Sequence, residues 1–85
     1  MKYDIVEIKW LDAQAGFGQA ESVQELIDYH EPMITHSVGY LLYECEEYII
    51  LGFMMFGEEM VKDNQLIPKG MIKEKTTIKQ GDDKK

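Results

Sequence analysis

Tyr48-Ile49-Ile50-Leu51-Gly52-Phe53-Met54-Met55-Phe56 carries no charge and no proline, and acidic pairs close it at Glu46-Glu47 and Glu58-Glu59. Five of its nine residues are β-branched or aromatic, which suits a pleated strand. A strand half-covered by its own core alternates apolar with polar; one that is apolar at every position needs a second cover over its other face. Either face of 48–56 can be the core. In a short chain the cover for the other face can be a second copy, so Tyr48, Ile50, Phe53, Met54, Met55 and Phe56 are the candidate interface residues.

The chain has 85 residues, one cysteine and a net charge of −7. A domain of that size buries only about 60% of the surface of its unfolded chain. Self-association is one supplement; a disulfide framework is closed to a chain whose only cysteine is Cys45, a usage that fits a reducing cytoplasm. No secretory signal is expected, because Lys2 is followed at once by Asp4 and by charges at Glu7 and Lys9. The longest apolar run is about half of the roughly 20 residues a bilayer demands. These features predict a cytoplasmic protein without a membrane partner.

Charge is unevenly placed. Residues 1–64 hold thirteen acids and three lysines, net −10, whereas residues 65–85 hold three acids and six lysines, net +3. Every cation is a lysine, so no guanidinium can fork onto a phosphate or a guanine edge, and the acidic body repels a polyanion. Nucleic-acid binding is disfavoured.

Outward from the central segment, residues 3–11 alternate as a first strand with Val6, Ile8 and Trp10 inward. Residues 12–19 read as a loop with an aromatic, Phe17. Ser22 and Glu25 have capping-box spacing, and Val23, Leu26, Ile27 and His30 follow at helical offsets until Pro32 ends the helix. So short a helix is expected to dock on the sheet. From Met33 the period is two through Tyr43, a second strand, and Glu44 to Glu47 form a turn of three to five residues. Residues 57–64 read as a connection, 65–67 as a brief strand, Pro68-Lys69-Gly70 as a tight turn and 71–78 as a fifth strand. The expected domain covers residues 1–79, with a disordered tail over 80–85.

No constellation here specifies a reaction, and the expectation is a non-enzymatic protein with no cofactor. His30, Glu31 and His36 are metal-ligand types, but Pro32 separates two elements and no cysteine joins them. Ser37 beside His36 cannot form a nucleophile and base, because adjacent strand residues face opposite ways. The pairs Glu46-Glu47 and Glu58-Glu59 read as charged gatekeepers of an aggregation-prone strand.

The order of strand, helix, long hairpin, short fourth strand, one-turn corner and fifth strand resembles an all-β, five-stranded SH3-like or Sm-like barrel. Gly39-Tyr40-Leu41 with its acidic turn, and the Gly70 corner before Ile72, are similar to the two Sm sequence motifs over residues 38–78. The resemblance implies the barrel fold and the Sm habit of forming rings by pairing the fourth strand of one subunit with the fifth of the next. Ile49 and Ile50 stand where Sm proteins place a base-contacting asparagine, and Pro68-Lys69 replaces their arginine-glycine pair, so RNA binding does not carry over. The pattern Val6-Glu7-Ile8-Lys9-Trp10-Leu11-Asp12-Ala13, Val38-Gly39-Tyr40-Leu41 and Ile67-Pro68-Lys69-Gly70-Met71-Ile72 also resembles a group of small uncharacterised phage and prophage proteins. That likeness implies a protein of the infected bacterial cytoplasm, an accessory or assembly component or a binder of a phage or host protein. Three functions stay open: a homo-oligomerising protein-interaction module, a protein sequestering a nucleotide signal in an inter-subunit pocket of Trp10, Phe17 and Lys69, and an Sm-like RNA binder.

Overall fold

The computed structural model describes residues 1–14 and 18–82. Its elements are β1 (Ile5–Asp12), α1 (Val23–Tyr29), β2 (Met33–Glu44), β3 (Tyr48–Phe56), β4 (Met60–Pro68), a 3-10 turn (Lys69–Met71) and β5 (Ile72–Lys79). The five strands form one antiparallel sheet in the order β4-β3-β2-β1-β5. The sheet is open: β4 and β5 are its two edges.

β2 is long because it serves two neighbours in turn. Its first part, from Met33 to Tyr40, pairs with β1, and its last part, from Tyr40 to Glu44, pairs with β3. The strand passes from one half of the sheet to the other at Gly39, which is buried, opposite Val6. A Cβ at Gly39 would lie 2.9 Å from the Gly52 carbonyl oxygen and 3.1 Å from the Phe53 ring. The missing side chain is therefore what lets β3 and its aromatic come this close.

Contacts between strands that are not neighbours show how far the sheet curls. The Trp10 Nε1–H of β1 donates to Ser37 Oγ at 3.0 Å, and the Ser37 hydroxyl donates to Gln65 Oε1 of β4 at 2.9 Å. Ser37 and Gln65 belong to strands separated by β3, so only curvature brings them together. On the other side Lys75 of β5, placed opposite Ile8, meets Glu44 at the end of β2 at 3.0 Å, although Ile8 itself lies opposite Ser37, seven residues earlier in β2. At the far end of the long hairpin, Glu58 accepts the Lys2 backbone N–H at 2.8 Å, which ties the β3–β4 turn to the residues before β1.

The core lies in the concavity. Val6, Ile8 and Trp10 of β1, Ile49 and Leu51 of β3, and Ile67 of β4 are buried, with Leu41 and Ile72 packed against them. Burial at every second position of β1 follows the period of the strand. β3 obeys the same rule only over its first half: Ile49, Leu51 and Gly52 are buried, whereas Phe53, Met54 and Phe56 are exposed.

Two expectations are corrected. The stretch 57–64 is not a loop: only Gly57 to Glu59 turn the chain, with Gly57 at φ 68°, and β4 begins at Met60. Every residue of β4 before Gln65 is exposed, so no buried face imposed an alternation that a reader of the sequence could detect. The helix, capped as expected by Ser22 Oγ accepting the Glu25 N–H at 3.1 Å, does not dock on the sheet; none of its residues is buried. Of the expected tail, Gly81 donates its N–H to the Asp4 carboxylate at 2.7 Å and Asp82 pairs with the Met1 ammonium at 2.8 Å, while residues 83–85 lie outside the described residues.

Gly39→Ala is expected to lower stability by about 1–3 kcal/mol through overpacking against backbone, read as a lower urea midpoint with an unchanged m-value. Ser37→Ala leaves the indole N–H without its partner inside the core, and is expected to cost about 1–3 kcal/mol in the same assay.

Candidate functional site

The β3–β4 ribbon carries apolar side chains to the surface along its length. Cross-strand register sets Tyr48 opposite Pro68 and Ile50 opposite Leu66; directly paired residues share a face. Tyr43 of β2, which pairs with Ile50, adds its ring and stacks at a tilt on Tyr48 with centroids 5.9 Å apart. Tyr43 and Leu66 are both more than half exposed, so this end of the ribbon is an uncharged aromatic and aliphatic patch.

Beyond Gly52 the ribbon continues with Met54 opposite Lys62, Met55 opposite Val61 and Phe56 opposite Met60. Here Phe56 is 57% exposed, Met60 66%, Met54 47% and Phe53 40%. Of the six candidate interface residues, Phe53, Met54 and Phe56 are exposed, and Tyr48, Ile50 and Met55 are half-buried. None is fully buried.

The chain as a whole is more extended than a compact monomer. A folded chain of 9.9 kDa has an accessible surface of about 5,200 Å²; this one has 6538 Å². Its radius of gyration is 16.7 Å, where a compact chain of this length has about 12 Å. The difference in area, on the order of 1,000 Å², is that of the whole chain, the uncovered helix as well as the ribbon.

The two sheet edges differ in charge. β5 presents Lys73, Lys75 and Lys79 with a single acid, Glu74. The ribbon is bounded by Glu46 and Glu47 at one turn and Glu58 and Glu59 at the other. In β4, Asp63 takes a left-handed φ of 62°, which interrupts the ladder opposite Phe53, between the paired runs 60–62 and 64–68.

The residues expected to bind a small ligand are not gathered by the described structure. Trp10 is a core residue whose indole N–H is already spent on Ser37. Lys69 lies in the 3-10 turn with its Nζ 2.9 Å from Glu44, and Phe17 lies outside the described residues. Glu44 holds Lys69 and Lys75 together, and these two hydrogen bonds, Lys69 first, keep its carboxyl below the usual glutamate range. This clasp joins the end of β2, the corner and β5, and the Lys69 N–H adds a bond to the Glu47 carbonyl at 2.9 Å.

His30 and His36 sit apart. The His30 ring is 3.1 Å from Gln14 Oε1, while His36 faces Glu7 at 3.4 Å. Among the described residues no three His, Cys, Asp or Glu side chains converge on a metal position, and no helix is long and apolar enough to cross a membrane. Cys45 is a free thiol in the β2–β3 turn, where its N–H donates to the Tyr48 carbonyl at 3.0 Å. No protein-family model, curated protein or solved structure matches the chain.

Glu44→Gln tests the clasp. A carboxyl whose folded value is depressed contributes stability that is present above its unfolded value and is lost as pH falls through the folded one. The wild type is expected to lose part of its urea midpoint on acidification below about pH 4.5. Glu44→Gln should lack that part of the loss and should cost less than about 1 kcal/mol at neutral pH, because the pair is a third exposed.

Proposed function

We propose that the protein is a non-enzymatic, homo-oligomerising interaction module, built on the strand scheme of SH3-like and Sm-like barrels and serving as an accessory protein of a phage or prophage. The observation that carries the reading is the uncovered apolar ribbon: Phe53, Met54, Phe56 and Met60 stand in solvent on a chain whose surface exceeds that of a compact monomer. Monomeric proteins rarely expose contiguous apolar patches of more than a few hundred Å².

The strand order favours a head-to-tail assembly. It leaves β4 and β5 free, the same two strands that Sm-like proteins pair between subunits. In such a contact the acid-bounded ribbon of one copy meets the lysine-bearing β5 of the next, so the charges of the two surfaces are complementary. Heterologous contacts of this kind close into rings when the rotation allows. The phage association rests on the sequence resemblance over Val6 to Ala13, Val38 to Leu41 and Ile67 to Ile72.

The nucleotide-sequestering reading has less support, since Trp10 and Lys69 are engaged elsewhere. The RNA reading meets an acidic body with no arginine. The non-enzymatic reading rests on the sequence, in which no constellation specifies a reaction and the neighbouring His36 and Ser37 face opposite sides of a strand.

Sedimentation of the wild type at on the order of tens of micromolar is expected to give a mass of at least two chains, and Phe56→Glu or Met54→Glu to weaken association more than about tenfold. Both positions are exposed in the single chain, so circular dichroism should stay unchanged. A wild type that sediments as one chain at this concentration refutes the reading.

A further inference from the structure

The β3–β4 ribbon changes character at a single level. Pairing of β3 with β2 ends where Gly52 stands opposite Tyr40. One residue further on, Phe53 and Asp63 stand opposite and are left unpaired in the ladder between β3 and β4, and Asp63 takes its left-handed φ at that place. Beyond it Met54 to Phe56 pair with Met60 to Lys62, and this short hairpin pairs with no other strand among the described residues.

Two contacts fold the hairpin against the rest of the chain, one at its base and one at its tip. At the base, a Cβ on Gly52 would lie 2.7 Å from Leu42 Cδ1 of β2 and 2.7 Å from Val61 Cγ2 of β4, so these side chains close over a notch that only glycine leaves open. At the tip, the Glu58 carboxylate accepts the Lys2 N–H at 2.8 Å and stands 3.7 Å from the Met1 ammonium, while the Tyr3 hydroxyl donates to the Glu58 carbonyl at 3.5 Å. The hairpin thus has a seated face and a free one. Met55 and Val61 are directly paired and share the seated face; Met54, Phe56 and Met60 are exposed on the other. Leu42, Tyr3 and Met55 are half-buried.

A place where the backbone changes partners at a glycine and a left-handed residue is one that can absorb a rotation. A hairpin with its own ladder turns about such a hinge without losing its internal hydrogen bonds. Its closure depends on few groups, and a hydrogen bond to a charged acceptor such as Glu58 shifts an equilibrium between open and closed forms about tenfold. We propose that Met54 to Lys62 is a strap, hinged at Gly52 and Asp63 and latched by Glu58, whose seating limits self-association by covering Leu42, Met55 and Val61. The inference rests on the reading of the ribbon as the self-association surface. Opening adds these three apolar side chains to the face that Met54, Phe56 and Met60 already present, and a second copy binds in proportion to the population of the open form.

Methyl-labelled full chain separates the strap from the association. A nuclear Overhauser contact between Leu42 and Val61 reports the seated strap, and one between Met55 and Val61 reports the hairpin itself. The wild type is expected to show both. Glu58→Ala, which removes the latch, and Gly52→Ala, which fills the notch, should each lower the Leu42 contact at least about threefold and keep the Met55 contact. Should the glycine variant fail to fold, Glu58→Ala, at an exposed position, decides alone. Glu59→Ala, at the neighbouring exposed carboxylate, should match the wild type. In sedimentation Glu58→Ala should associate about tenfold more tightly than the wild type. An unchanged Leu42 contact in Glu58→Ala, loss of both contacts together, an equal effect at Glu59, or an opened strap that associates no more tightly overturns the proposal. A wild type that sediments as one chain refutes the reading of the ribbon instead, and the two Overhauser contacts judge the latch independently of it.

Discussion

The close passage of β3 over Gly39 is the constraint from which the rest of the architecture follows. Because no side chain stands there, the Gly52 carbonyl and the Phe53 ring approach β2, and one long strand can hydrogen-bond first to β1 and then to β3. The resulting curl forms the concavity that holds Val6, Ile8, Trp10, Ile49, Leu51 and Ile67. It also sets Ser37 against Gln65 and Glu44 against Lys75, polar contacts that a flat sheet in this strand order could not make. A half-buried hydroxyl satisfied on both sides rewards one curvature and penalises others, because any other arrangement would leave the indole or the amide without this partner.

A curl of this extent covers one face of half the ribbon and no more. Ile49 and Leu51 lie inside the concavity; two residues after Leu51, at Phe53, the same strand is exposed. The acidic pairs at both turns then take on a clear physical sense, since they keep a long apolar edge from pairing indiscriminately while leaving its middle available. Charge sorts the remaining surfaces: lysines on β5, acids around α1 and at the ribbon's ends.

Legibility followed burial. β1 was readable because a strand between two neighbours buries every second side chain, and Val6, Ile8 and Trp10 record that period. The limits of β3 were readable from the abrupt change between charge and grease at Glu47 and Gly57. The first half of β4 was not, because an edge that extends into solvent has no buried face and Val61-Lys62-Asp63-Asn64 could equally be a loop. The start of α1 was readable from a local bond, Ser22 to Glu25, whereas its docking was not, since the cover for Val23 and Ile27 is no local matter.

By itself the sequence determined every element but the first half of β4, the acidic body with its lysine-rich end, and the presence of one segment too apolar for a single cover, because these depend on residue type and short-range spacing. Tertiary structure alone decided which side of that segment is core, that Trp10 is packed inside and separated in role from Lys69, and that the helix stands uncovered. The first two follow from the curl of the sheet, which brings together residues such as Ser37 and Gln65 or Glu44 and Lys75 that no local pattern relates.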